Sequence, residues 1–150
     1  MENLRFYDFE AAHSIRVRGT MCVVTDPQKN LLLQYRNHSF ENFPNCLCHF
    51  GGGIDPHETS EQAIIRELHE EIGAQAAPED MIFLGCLSED ETGHTEIINT
   101  YFWHDKNNSV TGCYEGELRV FNHLAALLSE PKLMPSSRWM VEECIRRKLL

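Results

Sequence analysis

The chain has 150 residues, of which 42% are hydrophobic and 9% aromatic, which suits one domain built round a single core. Its formal net charge of -10 argues against a broad nucleic-acid surface, which needs many Lys and Arg contacts. A small phosphate ligand stays compatible, because a bound metal ion reverses the local field.

No apolar run approaches the length of a membrane span, and Met1 to Ala12 is mixed and acidic, unlike an export or transit signal. A cytoplasmic location is therefore expected. The six cysteines, at 22, 46, 48, 86, 113 and 144, are scattered, and several fall inside predicted strands or helices. They read as mostly buried reduced thiols. Cys46, Cys48 and His49 hint at zinc, but Cys-x-Cys spacing with no second paired knuckle argues against it.

Residues 1–15 form an N-terminal extension carrying Phe6, Tyr7 and Phe9, either a short strand on the domain edge or part of a dimer interface. Met21-Cys22-Val23-Val24 is a buried strand, Asp26 to Asn30 a turn, and Leu31 to Arg36 the returning strand. Residues 37–45, with His38, Phe40, Phe43 and Pro44, form a loop able to stack on a base or to cover the core. Leu47 to Phe50 is a short strand feeding Gly51, Gly52 and Gly53, which permit close backbone approaches.

A helix follows from Ser60 to Ile72, with Thr59 as N-cap, Gln62 completing a capping box and Gly73 at the left-handed stop. At 100° per residue Ile64, Ile65, Leu68 and Ile72 face a core. Glu67, Glu70 and Glu71 crowd the neighbouring side, with small Ala63 one turn before Glu67. Like charges so spaced repel by roughly 0.2–0.5 kcal/mol per pair on an exposed helix. A divalent cation would convert that repulsion into binding. The three glutamates alone read more readily as a solvated acidic face after a flexible loop.

Further strands are expected at Met81 to Leu87, Glu96 to His104 and Glu115 to Phe121, with an acidic loop at Ser88 to Thr95 and a polar turn at Asp105 to Thr111. Asn122 should cap a short helix, His123 to Leu128. Ser136 or Ser137 should cap a last helix reaching residue 149, with Trp139, Met140, Cys144, Ile145 and Leu149 packing and Arg146, Arg147 and Lys148 at its negative end. Mixed strand pairs between helices at 60–72 and 137–149 give an α/β/α sandwich. The whole chain, 1–150, reads as one domain.

The spacing in residues 52–74 is specific. Gly52, five residues, Glu58, seven residues, then Arg66-Glu67-Leu68-His69-Glu70-Glu71-Ile72-Gly73 resembles the Nudix box. The departures are Ala74, where the family has a bulkier aliphatic residue, and Phe50 in place of a proline before the glycines. Both concern packing or loop shape. The resemblance implies a Nudix-type α/β/α sandwich with a mixed central sheet. It also implies divalent-metal-dependent hydrolysis of a phosphoanhydride in a nucleoside diphosphate linked to another group.

On that resemblance the Gly51 carbonyl, Glu67, Glu70, Glu71 and Glu115 are the metal-ligand set for Mg²⁺ or Mn²⁺, and Glu70, Glu115 or Glu117 is the general base. Arg66 pairs with Glu58 to hold helix to loop, and Arg36, Gly52 and Gly53 face the substrate. The expected partner is a small nucleotide-like molecule, with neither nucleic acid nor membrane, and a homodimer is compatible. The alternative is a non-catalytic Nudix-fold nucleotide sensor or protein-interaction module, because fold does not fix function.

Overall fold

The computed structural model describes residues 4–8 and 18–150. Eight strands form one mixed sheet: β1 Arg5–Tyr7, β2 Arg18–Thr25, β3 Leu31–Arg36, β4 Cys46–Cys48, β5 Phe50–Gly53, β6 Ile82–Ser88, β7 Ile97–His104 and β8 Glu117–Phe121. Three helices accompany them: α1 Ser60–Ile72, α2 Leu124–Leu128 and α3 Pro135–Arg146. Short 3₁₀ turns lie at Pro78–Asp80 and Asp90–Thr92. The main path through the sheet is β1-β6-β7-β2-β3-β4, with β5 added to β2 and β8 to β3.

Central β2 is parallel to β7 and antiparallel to β3 and β5. A central strand is covered on both faces, so its apolar run is continuous rather than alternating. Cys22 and Val24 pack with Ile64, Leu68 and Ile72 of α1, together with Phe50, Tyr101 and Trp103. Val23 points the other way, to Met140, Val141 and Cys144 of α3. The two helices therefore cover opposite faces, which makes the fold an α/β/α sandwich.

Helix α1 has the expected ends. The Gln62 N–H donates to Thr59 Oγ1 at 3.1 Å and the Thr59 N–H donates to Gln62 Oε1 at 2.9 Å. Gly73 closes the helix at φ 70°, its N–H donating to the His69 carbonyl. Ala63 rather than Ile65 is fully buried. Ala74 sits in the same core cluster, where a small side chain fits.

Elsewhere the expected boundaries move. The single strand expected at 47–50 is two strands, because the chain changes partner at His49: Cys48 pairs with Gln34 of β3, and Phe50 with Cys22 of β2. Helix α2 is capped by His123 without a side-chain bond, not by Asn122. Helix α3 starts earlier, because Pro135 takes the first helical position, where its missing N–H costs nothing. Ser136 and Ser137 are thus buried in the first turn rather than capping it. Val141 is a core residue, whereas Ile145 is exposed. Arg147 does more than complement the helix end: its guanidinium donates to the Phe83 and Leu84 carbonyls of β6 at 2.9 and 2.7 Å.

Strand β1 lies on the sheet edge beside β6, with Phe6 5.0 Å from the Trp139 ring. Phe9 and the rest of the segment 9–17 fall outside the described residues. All six cysteines are unpaired, four of them buried. Among the described residues no helix is long and apolar enough to cross a membrane.

Candidate active site

The site forms where α1 packs on the glycine loop of β5. Glu71 lies on the core side of α1 and is 3% exposed. The Gly51 N–H donates to its Oε1 at 2.9 Å, and Gln34 Nε2 donates to its Oε2 at 3.3 Å. Burial, then the nearby Glu115 carboxylate, pushes Glu71 up to about 8, against the pull of the Gly51 N–H. Such a carboxyl is held near neutrality unless a cation joins it.

Glu67 lies one turn earlier, against Gly52. A Cβ on Gly52 would collide with the Glu67 carboxylate, so only glycine permits this approach. Burial raises Glu67, with Glu70 and Glu115 adding to the effect and Arg66 opposing it. Glu70 is exposed.

Arg66 joins helix and loop. Its Nε and Nη2 donate to the two Glu58 oxygens at 2.6 and 2.9 Å, and Nη2 also donates to the Gly53 carbonyl at 3.0 Å. Nη1 donates to Glu67 at 2.9 Å and lies 3.3 Å from Glu70. The hydrogen bond from Arg66 holds Glu58 below the ordinary carboxylate range.

The two acidic residues expected near the last strand part company. Glu115 lies at the site: its carboxylate is 3.5 Å from Arg36 Nη1 and its carbonyl accepts from Gln34 Nε2 at 2.6 Å. Glu117 is on β8, paired with Arg119 at 3.3 Å, and does not line the cleft. Arg36 is on the cleft wall, but its donors are largely engaged. They reach the Asn42 and Phe43 carbonyls and Gln34 Oε1, and the guanidinium stacks on Phe40 at 4.3 Å.

Gln34 belongs to no motif in the sequence, yet it is central. Only 1% exposed, it ties Glu71, Glu115 and Arg36 together from β3. A polar residue after the apolar run Leu31-Leu32-Leu33 was the one available hint. Glu89 was also missed, and His49 was weighed only beside Cys46 and Cys48 as a weak zinc hint. Both are 2% exposed and both line the cleft. The cleft holds about 280 Å³ and runs from Gly51, Gly52, Arg36 and Glu115 to Glu89 and His49.

Among the described residues, no three His, Cys, Asp or Glu side chains converge as a closed cation cage. The donor set nonetheless fits a hard divalent cation. Glu115 raises the proton affinity of both Glu67 and Glu71, and Glu67 adds to that of Glu71, so the three share a space whose negative charge lacks a full counterweight.

Three comparisons bear on this arrangement. The profile described as NUDIX domain matches residues 15–149. No curated protein matches the chain significantly. Among solved structures, a mutT/nudix family protein from Listeria innocua is 19% identical with a TM-score of 0.70, over 90% of this chain and 95% of that one. The MutT protein from Methanosarcina mazei Go1 is 18% identical with a TM-score of 0.67, over 88% and 94%. The C-terminal domain of mouse MUTYH, solved in complex with human PCNA, is 13% identical with a TM-score of 0.65, over 89% and 90%. At these identities the likeness concerns the fold.

Proposed function

The chain belongs to the NUDIX domain family, and from that premise we propose that it is a divalent-metal-dependent hydrolase of a phosphoanhydride bond in a nucleoside diphosphate linked to another group. The observation that carries this reading is the acidic end of the cleft, where buried Glu71 is pushed up to about 8 beside Glu67 and Glu115. Nudix hydrolases generally use divalent metals such as Mg²⁺, and Glu67, Glu70, Glu71, Glu115 and the Gly51 carbonyl would hold the ion here. When bound, it supplies charge neutralisation for the phosphates and a water of lowered pKa.

The chain's own groups do the rest. Glu70, exposed on α1 beside Arg66, or Glu115 is the base that takes a proton from the attacking water. Arg66 fixes α1 against the loop through Glu58 and the Gly53 carbonyl, which sets the positions of Glu67 and Glu70. Gly52 and Gly53 let a diphosphate approach the backbone. Arg36 lines the substrate's path and orients the 37–45 loop through the Asn42 and Phe43 carbonyls.

Product masses from a panel of nucleoside triphosphates and nucleoside diphosphate derivatives, with Mg²⁺ or Mn²⁺ and again with EDTA, test the proposal. Cleavage that requires metal and disappears in Glu70→Gln is expected. No turnover of any compound with either metal would overturn it in favour of a nucleotide sensor or interaction module.

A further inference from the structure

A second cavity opens at the far end of β2 from the glycine loop. It holds about 440 Å³, against about 280 Å³ for the cleft, and so falls within the range of small-molecule sites, roughly 300–1,000 Å³. Thr20 lines the cleft and Thr25 the second cavity, about 17 Å further along the strand. Leu31, Phe102, Phe121, Leu124, Leu149 and Leu150 form its apolar walls, and all six belong to the core cluster on the α3 face. The core is left open here, where a packed interior would close it to solvent.

The rim is cationic. The chain has four lysines within a net charge of -10. Lys106 faces Asp80 at 3.6 Å, and Lys132 donates to the Tyr35 hydroxyl at 3.3 Å. The other two, Lys29 and Lys148, have no carboxylate partner among the described residues, and both stand at this rim. Each also holds a left-handed backbone, at φ 65° and 61°, which residues other than glycine adopt at some cost. His104 lines the same cavity. Its Nδ1 lies 2.8 Å from Thr25 Oγ1, and its Nε2 has no partner among the described residues.

We infer that this cavity binds a free amphipathic carboxylate, an apolar chain or ring with one anionic head. Its body lies on the Leu31 and Phe102 floor, and its head lies at the Lys29 and Lys148 rim. Neither half of such a molecule suffices alone. An uncharged body gains burial but leaves the lysines unopposed, whereas a small anion gains only exposed ion pairs, which are weak. Leucine and phenylalanine walls offer no polar partners to the edge of a nucleotide base. The cavity shares no lining residue with the cleft, so the inference stands independently of the hydrolase reading.

Titration calorimetry of the full chain tests this, with decanoate, decan-1-ol and decylammonium as probes. Decanoate should bind about tenfold tighter than decan-1-ol, the worth of two exposed ion pairs, and decylammonium should bind weakest. Lys29→Gln and Lys148→Gln change exposed side chains and leave the core intact. Each should weaken decanoate by about two- to fivefold, and the double variant should bind decanoate no better than decan-1-ol. Amide shifts in ¹⁵N spectra should place decanoate at Thr25, His104 and Leu149, not at Gly51 to Gly53.

No measurable binding of decanoate, equal affinity for decanoate and decan-1-ol, unchanged decanoate affinity in the double variant, or shifts confined to the glycine loop overturns the inference. Binding to phosphatidylglycerol vesicles without binding to decanoate also overturns it, and makes the rim a membrane-surface contact instead.

Discussion

Replacing Glu71 by Gln should stabilise the metal-depleted protein at pH 8 and abolish its response to Mg²⁺. The carboxyl is raised from 4.5 to about 8, chiefly by burial. Between those values the folded state keeps a proton that the unfolded state has lost, so stability falls as pH rises through that window. Each tenfold change in proton affinity is worth about 1.4 kcal/mol, which caps the loss near ~5 kcal/mol at pH 8. Gln does not titrate and escapes it. The substitution has a cost, because its amide cannot accept from both Gly51 N–H and Gln34 Nε2, and one lost bond is worth about 1 kcal/mol. The net gain at pH 8 is then roughly 1–4 kcal/mol, a rise in Tm on the order of 3–10 °C for a chain of this size. Melting curves by circular dichroism in EDTA, at pH 5 and pH 8, measure it. At pH 5 the advantage should vanish or turn slightly negative. Saturating Mg²⁺ should raise the wild-type Tm at pH 8, by about 2.7 kcal/mol of stability at a hundredfold excess over Kd, and leave the variant unmoved. A difference between the two proteins that is the same at both pH values would refute the electrostatic account. An unimpaired Mg²⁺ response in the variant would remove Glu71 from the proposed ligand set.

Other substitutions separate chemistry from folding. Glu70→Gln should change unfolding free energy by less than about 0.5 kcal/mol, since the residue is exposed, while turnover falls by about 10²–10⁴; denaturant titration and initial rates give the two numbers. Gly52→Ala drives a methyl group into the Glu67 carboxylate and should lower kcat/KM about a hundredfold with Mg²⁺ saturating. In Arg66→Lys the ammonium cannot reproduce the paired bonds to Glu58, so urea unfolding should show a loss of about 1–2 kcal/mol along with reduced kcat. Leu68→Ala, at a fully buried position of α1, should cost about 2–5 kcal/mol in the same assay.

Much of the fold could be read from pattern because local chemistry and tertiary demand agree there. The Thr59–Gln62 box and Gly73 state the ends of α1 in residues whose preferences are local. The continuous Cys22–Val24 run announces a strand with both faces covered. What could not be read depends on partners distant in sequence. The chain between Leu47 and Phe50 looks like one strand until β3 and β2 divide it. Gln34 is an ordinary polar residue until Glu71, 37 positions later, comes to rest on it. Glu115 and Glu117 differ by two residues and carry the same charge, and only the start of β8 sends the second to Arg119 and leaves the first beside Arg36. Glu89 belongs to no spacing pattern and His49 only to the weak Cys46-Cys48-His49 one, because the cleft that unites them is lined from β2, β3, β5 and the loops after β3 and β6.

Arg66 explains how so acidic a site can fold at all. Glu58, Glu67 and Glu70 surround one guanidinium, which is half-buried and itself raised in proton affinity by Glu58 and Glu67. Its contacts are unequal in kind. Nε and Nη2 hold both oxygens of Glu58 in a short paired geometry, whereas Nη1 is shared between Glu67 at 2.9 Å and Glu70 at 3.3 Å. A paired Arg–carboxylate contact is both stronger and more directional than a shared one. A divalent cation competing for these carboxylates would therefore take Glu67 and Glu70 from Nη1 first and leave the Glu58 bond, and with it the junction of α1 and the glycine loop, in place. The same arginine can then serve as counter-charge during folding and as a fixed strut when a metal is held. On the proposed ligand set, this leaves the remaining glutamate of the motif, Glu58, to the helix–loop joint.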